Sequence, residues 1–506
     1  MFFAKGVLIE KQLSYLFAKL KSIRASTGTR LVALAAVLVA VCSTFSYGQA
    51  IDAEIRVDAK TNSVEVAGRF LDGGEIRNIA FQREFAGVSG LAERISQMRT
   101  LGANGKEVTS KAFAPGEFAA AESIGAFSYT IRLDAPDSTG QAHVSWLKNG
   151  RGVLFLGDIL PLVLGKASTS ATVRIIDQKV GVAGGCSSLA EGKYECSDRA
   201  SAVFALSPDL RTVKTAETEI NLLIEGAWNF DDQAAAKEAA ELFGTYREVF
   251  GGSPQGPFEV VVMKFADETP PGRFEADTRG RTILILSSDA PFKSQSMQRL
   301  SLQLRHELFH LWLPNGVALA GRYAWFYEGA ALYMASRVGL KTNRIRFDDL
   351  VSQLSTAIAF DRTSPKGVSL AMAADTRWHG NATTLYARGM LAAFMLDLEL
   401  LKRSKTKHSL EDVLRKLFND HDRRKASKVD AVPAIIEAFS AFNGTGTLAK
   451  ELLDRTEPLN VAATLENSGF ELADSGRDLK VKEDPSSREK AILNKLGYNN
   501  WRKLSR

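Results

Sequence analysis

Residues 297–313 read MQRLSLQLRHELFHLWL, an apolar run that contains the motif HELFH at positions 306–310. Residues four apart lie on one face of a helix, so the imidazoles of His306 and His310 point to the same side. The spacing predicts that both bind one metal ion and that Glu307 accepts a proton from a metal-bound water. The alternative is a chance match, or two structural histidines on a core helix.

A third ligand is predicted on the next helix. A catalytic zinc site takes three protein ligands and leaves one position open for water. Glu328 lies in YAWFYEGAA, residues 323–331, with seventeen residues between it and His310. Because an unpaired buried carboxylate is costly, metal coordination is a good reason for a glutamate in this apolar setting. The alternative is a carboxylate at a helix N-terminus, stabilised by the helix dipole.

The pattern around these motifs predicts an α+β protein. Residues 51–215 alternate short apolar stretches with turn residues, which is typical of antiparallel strands and predicts a β-sandwich-like N-terminal domain. Residues 216–475 are predicted to form a second domain with a small β lobe and a helical lobe. Its helices are predicted near Asp231–Phe250, Gln298–Trp312, Trp325–Val338, Ile345–Ala359, Thr384–Leu401, Leu410–Phe418 and Ala431–Phe442. Residues 476–506 are predicted to be a polar C-terminal tail.

The second domain resembles the gluzincins, thermolysin-like zinc peptidases whose third ligand is a glutamate on the helix after HExxH. The motifs HELFHLW and WFYEGAALY carry this resemblance. The segments LYARGM at 385–390 and FNGTGTLAKELLDRTEPLNVAATLENSGFELA at 442–473 are similar to the glycyl aminopeptidase family, a relative of aminopeptidase N. Together these motifs cover about residues 220–475.

The resemblance implies two further site residues. It implies that Tyr386 donates a hydrogen bond to the oxyanion of the tetrahedral intermediate, where the alternative is a core tyrosine. It also implies a glycine-rich strand whose glutamate binds the substrate's amino terminus, and Glu275 in GRFEA is the candidate. A solvated loop glutamate is the alternative for Glu275. The seventeen-residue spacing is close to that of aminopeptidase N but shorter than in typical glycyl aminopeptidases, which indicates a trimmed loop at the rim of the cleft.

The charge and the N-terminus predict export and give no support to nucleic-acid binding. The net charge is +6, but residues 1–50 hold six Lys or Arg and one Glu, which leaves +1 for the remaining chain. Basic residues precede the apolar run LVALAAVLVAVCSTF, about 15 residues long and short of the roughly 20 that span a bilayer. Residues 1–50 are therefore predicted to be a signal peptide with a basic leader, cleaved near Ala50. Membrane association follows only if the segment stays uncleaved.

Cys186 and Cys196 are the two cysteines that remain after such cleavage. In an oxidising compartment they can close a short loop as a disulfide. A zinc pair is the alternative, but a CxxC spacing and further ligands are missing from the sequence.

The sequence thus predicts an exported zinc peptidase in the periplasm or outside the cell, with one catalytic Zn²⁺ and a peptide or protein substrate. An aminopeptidase-like activity is expected. The alternatives are a zinc endopeptidase of narrow specificity and a catalytically weak peptidase fold that serves as a binding module of the cell envelope.

Overall fold

The computed structural model describes residues 50–71, 74–137, 139–163, 170–214, 219–473 and 476–500. The predicted signal peptide, residues 1–50, lies outside the described residues except for Ala50. Among the helices of the described part, none is both long enough and apolar enough to cross a membrane.

In the described residues of the N-terminal domain, the structure has sixteen strands and a short α-helix. The strands are β1 (Ile51–Asp58), β2 (Ser63–Phe70), β3 (Asn78–Ala80), β4 (Ile95–Leu101), β5 (Glu107–Val108), β6 (Ser110–Ala114), β7 (Glu117–Ala120), β8 (Ala126–Arg132), β9 (Trp146–Lys148), β10 (Arg151–Phe155), β11 (Leu162–Val163), β12 (Ala171–Ile176), β13 (Val180–Gly184), β14 (Cys186–Ala190), β15 (Lys193–Cys196) and β16 (Val203–Leu206), and the helix is α1 (Leu156–Ile159). They form an eight-stranded sheet in the order β14-β15-β12-β1-β2-β8-β4-β5 and two four-stranded sheets, β13-β16-β10-β9 and β11-β3-β7-β6.

The eight-stranded sheet packs against the β13-β16-β10-β9 sheet in a sandwich. Alternate residues of β1, such as Ile51 and Ile55, are fully buried and share one apolar cluster with Leu154 of β10 and Phe204 of β16. This is the half-buried alternation that the sequence predicts. The predicted antiparallel arrangement is wrong at one place, because β1 pairs in parallel with β12. Period-2 alternation reports which face is buried and carries no information on the direction of the neighbouring strand.

A disulfide joins two adjacent strands of the eight-stranded sheet. Cys186 on β14 lies directly opposite Cys196 on β15, and the two sulfur atoms are bonded.

A five-stranded sheet connects the N-terminal domain to the helices. Its strands are β17 (Arg211–Lys214), β18 (Ile220–Ile224), β19 (Phe258–Met263), β20 (Phe274–Arg279) and β21 (Thr282–Ser287), in the order β17-β18-β19-β21-β20. Val261 and Leu284 pack with Val153 of β10, whereas Val260 and Ile283 pack with the helices. Because both faces of the inner strands are buried, β18, β19 and β21 are largely apolar, whereas the edge strands β17 and β20 are more polar and more exposed.

Eleven helices follow or cover this sheet in the described residues. They are α2 (Asp232–Phe250), α3 (Lys293–His310), α4 (Ala324–Lys341), α5 (Phe347–Thr363), α6 (Leu370–Asp375), α7 (Ala382–Arg403), α8 (Leu410–His421), α9 (Ala431–Ser440), α10 (Gly446–Asp454), α11 (Val461–Leu465) and α12 (Ser487–Lys495). Two 3₁₀ turns, Ala92–Arg94 and Arg377–His379, and the short strands β22 (Leu319–Ala320), β23 (Val429–Asp430), β24 (Phe470–Leu472) and β25 (Leu479–Val481) complete the elements.

Local signals explain where helix α2 begins and ends. The Asp231 side chain accepts a hydrogen bond from the Ala234 amide, and Gly251 ends the helix with a φ of 73°. Each of the predicted helices corresponds to an observed one, and the boundaries differ by a few residues. The α+β class, with an N-terminal β domain and a C-terminal helical region, is confirmed.

The segment after residue 475, predicted as a polar tail, contributes to the helical core. Strand β25 pairs with β24, and helix α12 buries Ile492 and Leu493 fully. The apolar residues of α12 share the cluster of the second domain with Phe470. A short amphipathic helix adds little to average hydrophobicity, so composition alone does not reveal that it docks.

Candidate metal centre and cavity

Helix α3 presents the HExxH motif at the floor of a cleft. Leu300, Leu304 and Leu308 are buried on its core side, which turns His306, Glu307 and His310 toward the cavity that they line. The ring of His310 is oriented by its Nδ1 atom, which lies 3.1 Å from the carbonyl oxygen of Leu313. A hydrogen bond of this kind sets which imidazole nitrogen faces a metal.

Helices α4 and α7 approach each other closely at two glycines, one on each helix. A Cβ atom on Gly329 of α4 would lie 2.4 Å from the backbone of Gly389 of α7, so only glycine permits this approach. Glu328 precedes Gly329 on α4, and Tyr386 lies three residues before Gly389 on α7. The close contact of α4 and α7 therefore places the glutamate and the phenol in the same cavity.

The predicted ligands His306, His310 and Glu328 converge on one point. Nε2 of His306 lies 3.2 Å from Nε2 of His310, and Oε2 of Glu328 lies 3.4 Å and 3.5 Å from these two nitrogens. Zinc bonds of about 2.0–2.1 Å in a tetrahedral site place neighbouring donor atoms roughly 3.3–3.4 Å apart. Two imidazoles and a carboxylate at these distances thus fit a zinc ion, and in the described chain these three residues are a group that could hold a metal ion.

The pKa values of His310 and Glu328 are shifted in opposite directions by their contact. Burial alone would lower the pKa of His310, but the Glu328 carboxylate overrides this effect and raises that pKa to about 9. Burial alone would raise the pKa of Glu328, but His310 and His306 hold it well below its ordinary value. An ion that binds here displaces a proton from His310, which links metal affinity to pH.

Glu307 is held by a residue of the neighbouring sheet. The Thr278 hydroxyl on β20 donates a 2.6 Å hydrogen bond to Oε2 of Glu307. Strand β20 is the edge of the five-stranded sheet and, among the strands that the structure describes, pairs with β21 alone. No sequence motif points to Thr278, because its contact with Glu307 exists only once the edge strand lies beside α3.

Tyr386 and Tyr327 face the cavity as neutral phenols. Burial and the neighbouring Glu328 carboxylate raise the pKa of Tyr386 far above its ordinary value. Burial also raises the pKa of Tyr327. Both side chains therefore stay protonated at neutral pH and can donate a hydrogen bond.

The cavity holds about 280 Å³ and is bounded by both domains. Phe85 and His143 reach it from the N-terminal domain. The remaining lining residues come from the second domain: Ala276, Asp277, Thr278, His306, Glu307, His310, Pro314, Tyr327, Glu328, Arg377, Trp378 and Tyr386. A wider depression of about 770 Å³ lies on the eight-stranded sheet and contains none of the predicted metal ligands.

Glu275, the predicted substrate-binding residue, is not among the residues that line this cavity. Its Oε2 atom accepts hydrogen bonds from the amides of Gly140 at 2.9 Å and Ala142 at 3.3 Å. Its Oε1 atom accepts a 2.9 Å hydrogen bond from Arg273. Because side chains alternate along a strand, Glu275 faces the N-terminal domain whereas Thr278 faces α3.

Asp277 lies on the same side of β20 as Glu275 and joins the two domains. Its Oδ2 atom lies 2.7 Å from Nε of Arg279 and 3.3 Å from Nδ1 of His143. Although burial would raise the pKa of Asp277, Arg279 and His143 hold it far below its ordinary value. The sequence assigned no role to His143, and its place in the wall of the cavity depends on the packing of the domains.

The 3₁₀ turn at 377–379 supplies Arg377 and Trp378 to the cavity, while His379 in the same turn is exposed. His379 is not among the residues that line the cavity. Nη1 of Arg377 donates a 2.8 Å hydrogen bond to Oε1 of Glu328.

Comparison with known proteins identifies the fold. No protein-family model matches the chain, and no curated protein sequence matches it. The structure is similar to that of an aminopeptidase N family protein from Idiomarina loihiensis, with a TM-score of 0.69 and 16% identity over 83% of this chain and 78% of that one. It is also similar to an M1 zinc metallopeptidase from Deinococcus radiodurans, with a TM-score of 0.53 and 14% identity over 81% of this chain and 95% of that one. A variant of the Deinococcus enzyme bound to the substrate Tyr-Ser-Ala has a TM-score of 0.50 and 14% identity, over 81% of this chain and 95% of that one. At these identities the likeness shows a shared two-domain, aminopeptidase-like fold.

Proposed function

We propose that this chain is an exported zinc-dependent peptidase that hydrolyses peptide bonds with Glu307 as the general base. The donor triangle of His306, His310 and Glu328, with edges of 3.2, 3.4 and 3.5 Å, carries the proposal. Glu307 and Tyr386 line the same cavity. The aminopeptidase-like fold supports this assignment.

His306, His310 and Glu328 would hold the ion. When bound, Zn²⁺ would acidify a water molecule and polarise the scissile carbonyl group. Because Thr278 holds Oε2 of Glu307, the other carboxylate oxygen remains to take the proton of the attacking water. Glu307 then delivers this proton to the leaving amine.

Tyr386 stabilises the charge that develops on the carbonyl oxygen. Its phenol is kept protonated by burial and by the Glu328 carboxylate, so it can donate a hydrogen bond to the tetrahedral intermediate. A donor that is already oriented in a partly enclosed site stabilises such charge more than a donor in water does. Phe85 and Trp378 add apolar side chains to the wall of the cavity.

A peptide is the proposed substrate, and aminopeptidase-like specificity is the first candidate. The Idiomarina protein belongs to the aminopeptidase N family, and the Deinococcus variant is bound to a tripeptide. The narrower similarity to glycyl aminopeptidases stays a prediction.

Endopeptidase-like specificity is the second candidate, and one observation favours it. Glu275 was expected to bind the amino terminus of the substrate, but both of its oxygens accept hydrogen bonds from Gly140, Ala142 and Arg273. A site that anchors no amino terminus accepts peptides whose amino group is blocked.

Export is part of the proposal. The apolar segment at 31–45 with its basic leader supports it, as does the Cys186–Cys196 disulfide, since such bonds persist in oxidising compartments. N-terminal sequencing of the mature protein tests this part: a start near residue 51 in an envelope or secreted fraction is expected, and an intact residue 1 in the cytoplasm contradicts it.

The activity is tested with the purified protein, a peptide library and metal analysis. We expect about one zinc ion per chain, loss of hydrolysis on treatment with a chelator, and recovery on addition of Zn²⁺. Bound zinc without cleavage of any library peptide would instead identify a binding module of the envelope. A matched pair of peptides with a free and an acetylated amino terminus separates the two specificities, because an aminopeptidase cleaves only the free one.

A further inference from the structure

The two oxygens of Glu328 have different partners. Oε2 faces the imidazoles of His306 and His310 at 3.4 and 3.5 Å, whereas Oε1 accepts a 2.8 Å hydrogen bond from Nη1 of Arg377. We propose that Arg377 is a positioning residue for the metal centre, which holds Glu328 so that it offers one oxygen to the ion. The inference rests on the proposed zinc site.

Arg377 is itself fixed in place. It begins the 3₁₀ turn at 377–379, immediately before the helix that carries Tyr386. Its guanidinium carbon lies 4.5 Å from the centre of the Trp378 ring, and Nη1 also lies 3.5 Å from the Tyr327 hydroxyl. The side chain is 23% exposed, so its contact with Glu328 is largely shielded from water.

A charged hydrogen bond on the distal oxygen constrains how the carboxylate binds a metal. An ionised donor and acceptor form a short and strong hydrogen bond. While Oε1 is bound to Arg377, Glu328 cannot rotate freely or turn both oxygens toward the ion. Groups that orient metal ligands in this way typically contribute a factor of about 10–100 to metal affinity or activity.

The positive charge of Arg377 also has an opposing effect, because it repels a cation. Removing it would slow zinc release if repulsion were dominant, and would speed release if ligand orientation were dominant. The 2.8 Å contact with a buried ligand favours orientation, so we expect faster release.

The neighbouring ion pair of Arg322 and Asp375 provides a matched control. Nη1 of Arg322 lies 3.4 Å from Oδ1 of Asp375, and Asp375 lies just before the same 3₁₀ turn. The side chain of Arg322 is 75% exposed. Arg322→Met removes a positive charge and an ion pair from the same region without contact to a metal ligand. It should leave the metal centre unchanged.

The experiment compares Arg377→Met, Arg377→Lys and Arg322→Met in the full chain. Zinc release is followed with a coloured chelator, and cobalt(II) is substituted for zinc so that its visible spectrum reports the ligand geometry. We expect Arg377→Met to release zinc about 10–100 times faster than wild type and to alter the cobalt spectrum. Arg377→Lys should be intermediate, because an ammonium group supplies the charge without the planar guanidinium.

Zinc release from Arg377→Met that equals or is slower than release from Arg322→Met, with a wild-type cobalt spectrum, would overturn the proposal. If Arg377→Met does not fold, the same comparison of zinc release and cobalt spectrum is made with Arg377→Lys, provided that its melting temperature equals that of wild type. A wild-type protein that binds no zinc would instead refute the proposed function, so the two failures are distinguishable.

Discussion

The Thr278 hydroxyl lies 2.6 Å from Oε2 of Glu307 and joins the edge strand of the sheet to the helix that carries the HExxH motif. One oxygen of Glu307 is thereby fixed, and the other is left for the water. The strand and the helix together, rather than the helix alone, set the direction of the proposed general base.

Thr278→Val is expected to lower kcat by about 10–100-fold, because a hydrogen bond to a charged group is worth roughly 1.5–3 kcal/mol. KM and the zinc content should change little, since in the described residues this hydroxyl donates its hydrogen bonds to Glu307. Steady-state kinetics with metal analysis checks the change, and Thr278→Ser should restore most of the rate. A kcat for Thr278→Val equal to that of wild type would show that Glu307 needs no such support.

Tyr386→Phe is expected to lower kcat by about 10²–10³-fold, which is typical for the loss of one oxyanion donor. The zinc content should stay at the wild-type level, because the phenol is not among the metal ligands. Tyr327→Phe serves as the comparison, since Tyr327 lines the same cavity. If Tyr327→Phe lost the rate and Tyr386→Phe kept it, the assignment of the oxyanion donor to Tyr386 would be wrong.

Glu275→Gln should leave kcat/KM for a free-amine peptide within about twofold of wild type, as expected for a residue outside the site. Stability should decrease, because the Gln side chain offers only one acceptor oxygen to the Gly140, Ala142 and Arg273 donors. Kinetics and thermal unfolding measure the two effects. A tenfold rise in KM for the free-amine peptide, with no change for its acetylated form, would restore Glu275 as the amino-terminal anchor.

Glu275 and Glu328 show which parts of the candidate site can be predicted from the sequence and which cannot. HExxH, Glu328 and Tyr386 lie on apolar helices whose local patterns are strong, and the structure brings all of them to one cavity. Glu275 was identified from its place along the chain, but the side-chain direction on an edge strand depends on which domain packs on each face. Arg377 was missed for a related reason, since its partner lies 49 positions away in the chain.

For the β domain, the sequence predicts the all-β class and the alternation of buried and exposed residues, but it does not predict which strands pair. The buried positions of β1 follow period 2, yet its parallel partner β12 begins 120 residues later, at Ala171. No local pattern encodes such a pairing. The same holds for Phe85 and His143, which complete a cavity whose chemistry lies in the other domain.

Asp277→Asn is expected to destabilise the protein at neutral pH by roughly 1.5–3 kcal/mol, the worth of a hydrogen bond between charged groups, because the ion pair is only partly buried. The carboxylate lies 2.7 Å from Arg279, and the charge of Arg279 would be left unpaired. Because the folded-state pKa of Asp277 is lowered, its contribution is present above the ordinary pKa of an aspartate and is lost as the pH falls below it. Urea unfolding at several pH values checks this: the wild-type advantage should persist from neutral pH to about pH 4. An advantage that disappears between pH 6 and pH 7 would contradict the assignment.

Glu307→Gln tests the central claim most directly, because it removes the general base and leaves the three metal ligands in place. The purified variant should bind about one zinc ion per chain, as wild type does, and should show no measurable hydrolysis of a peptide that wild type cleaves. Peptide hydrolysis at the wild-type rate by zinc-loaded Glu307→Gln would contradict the account.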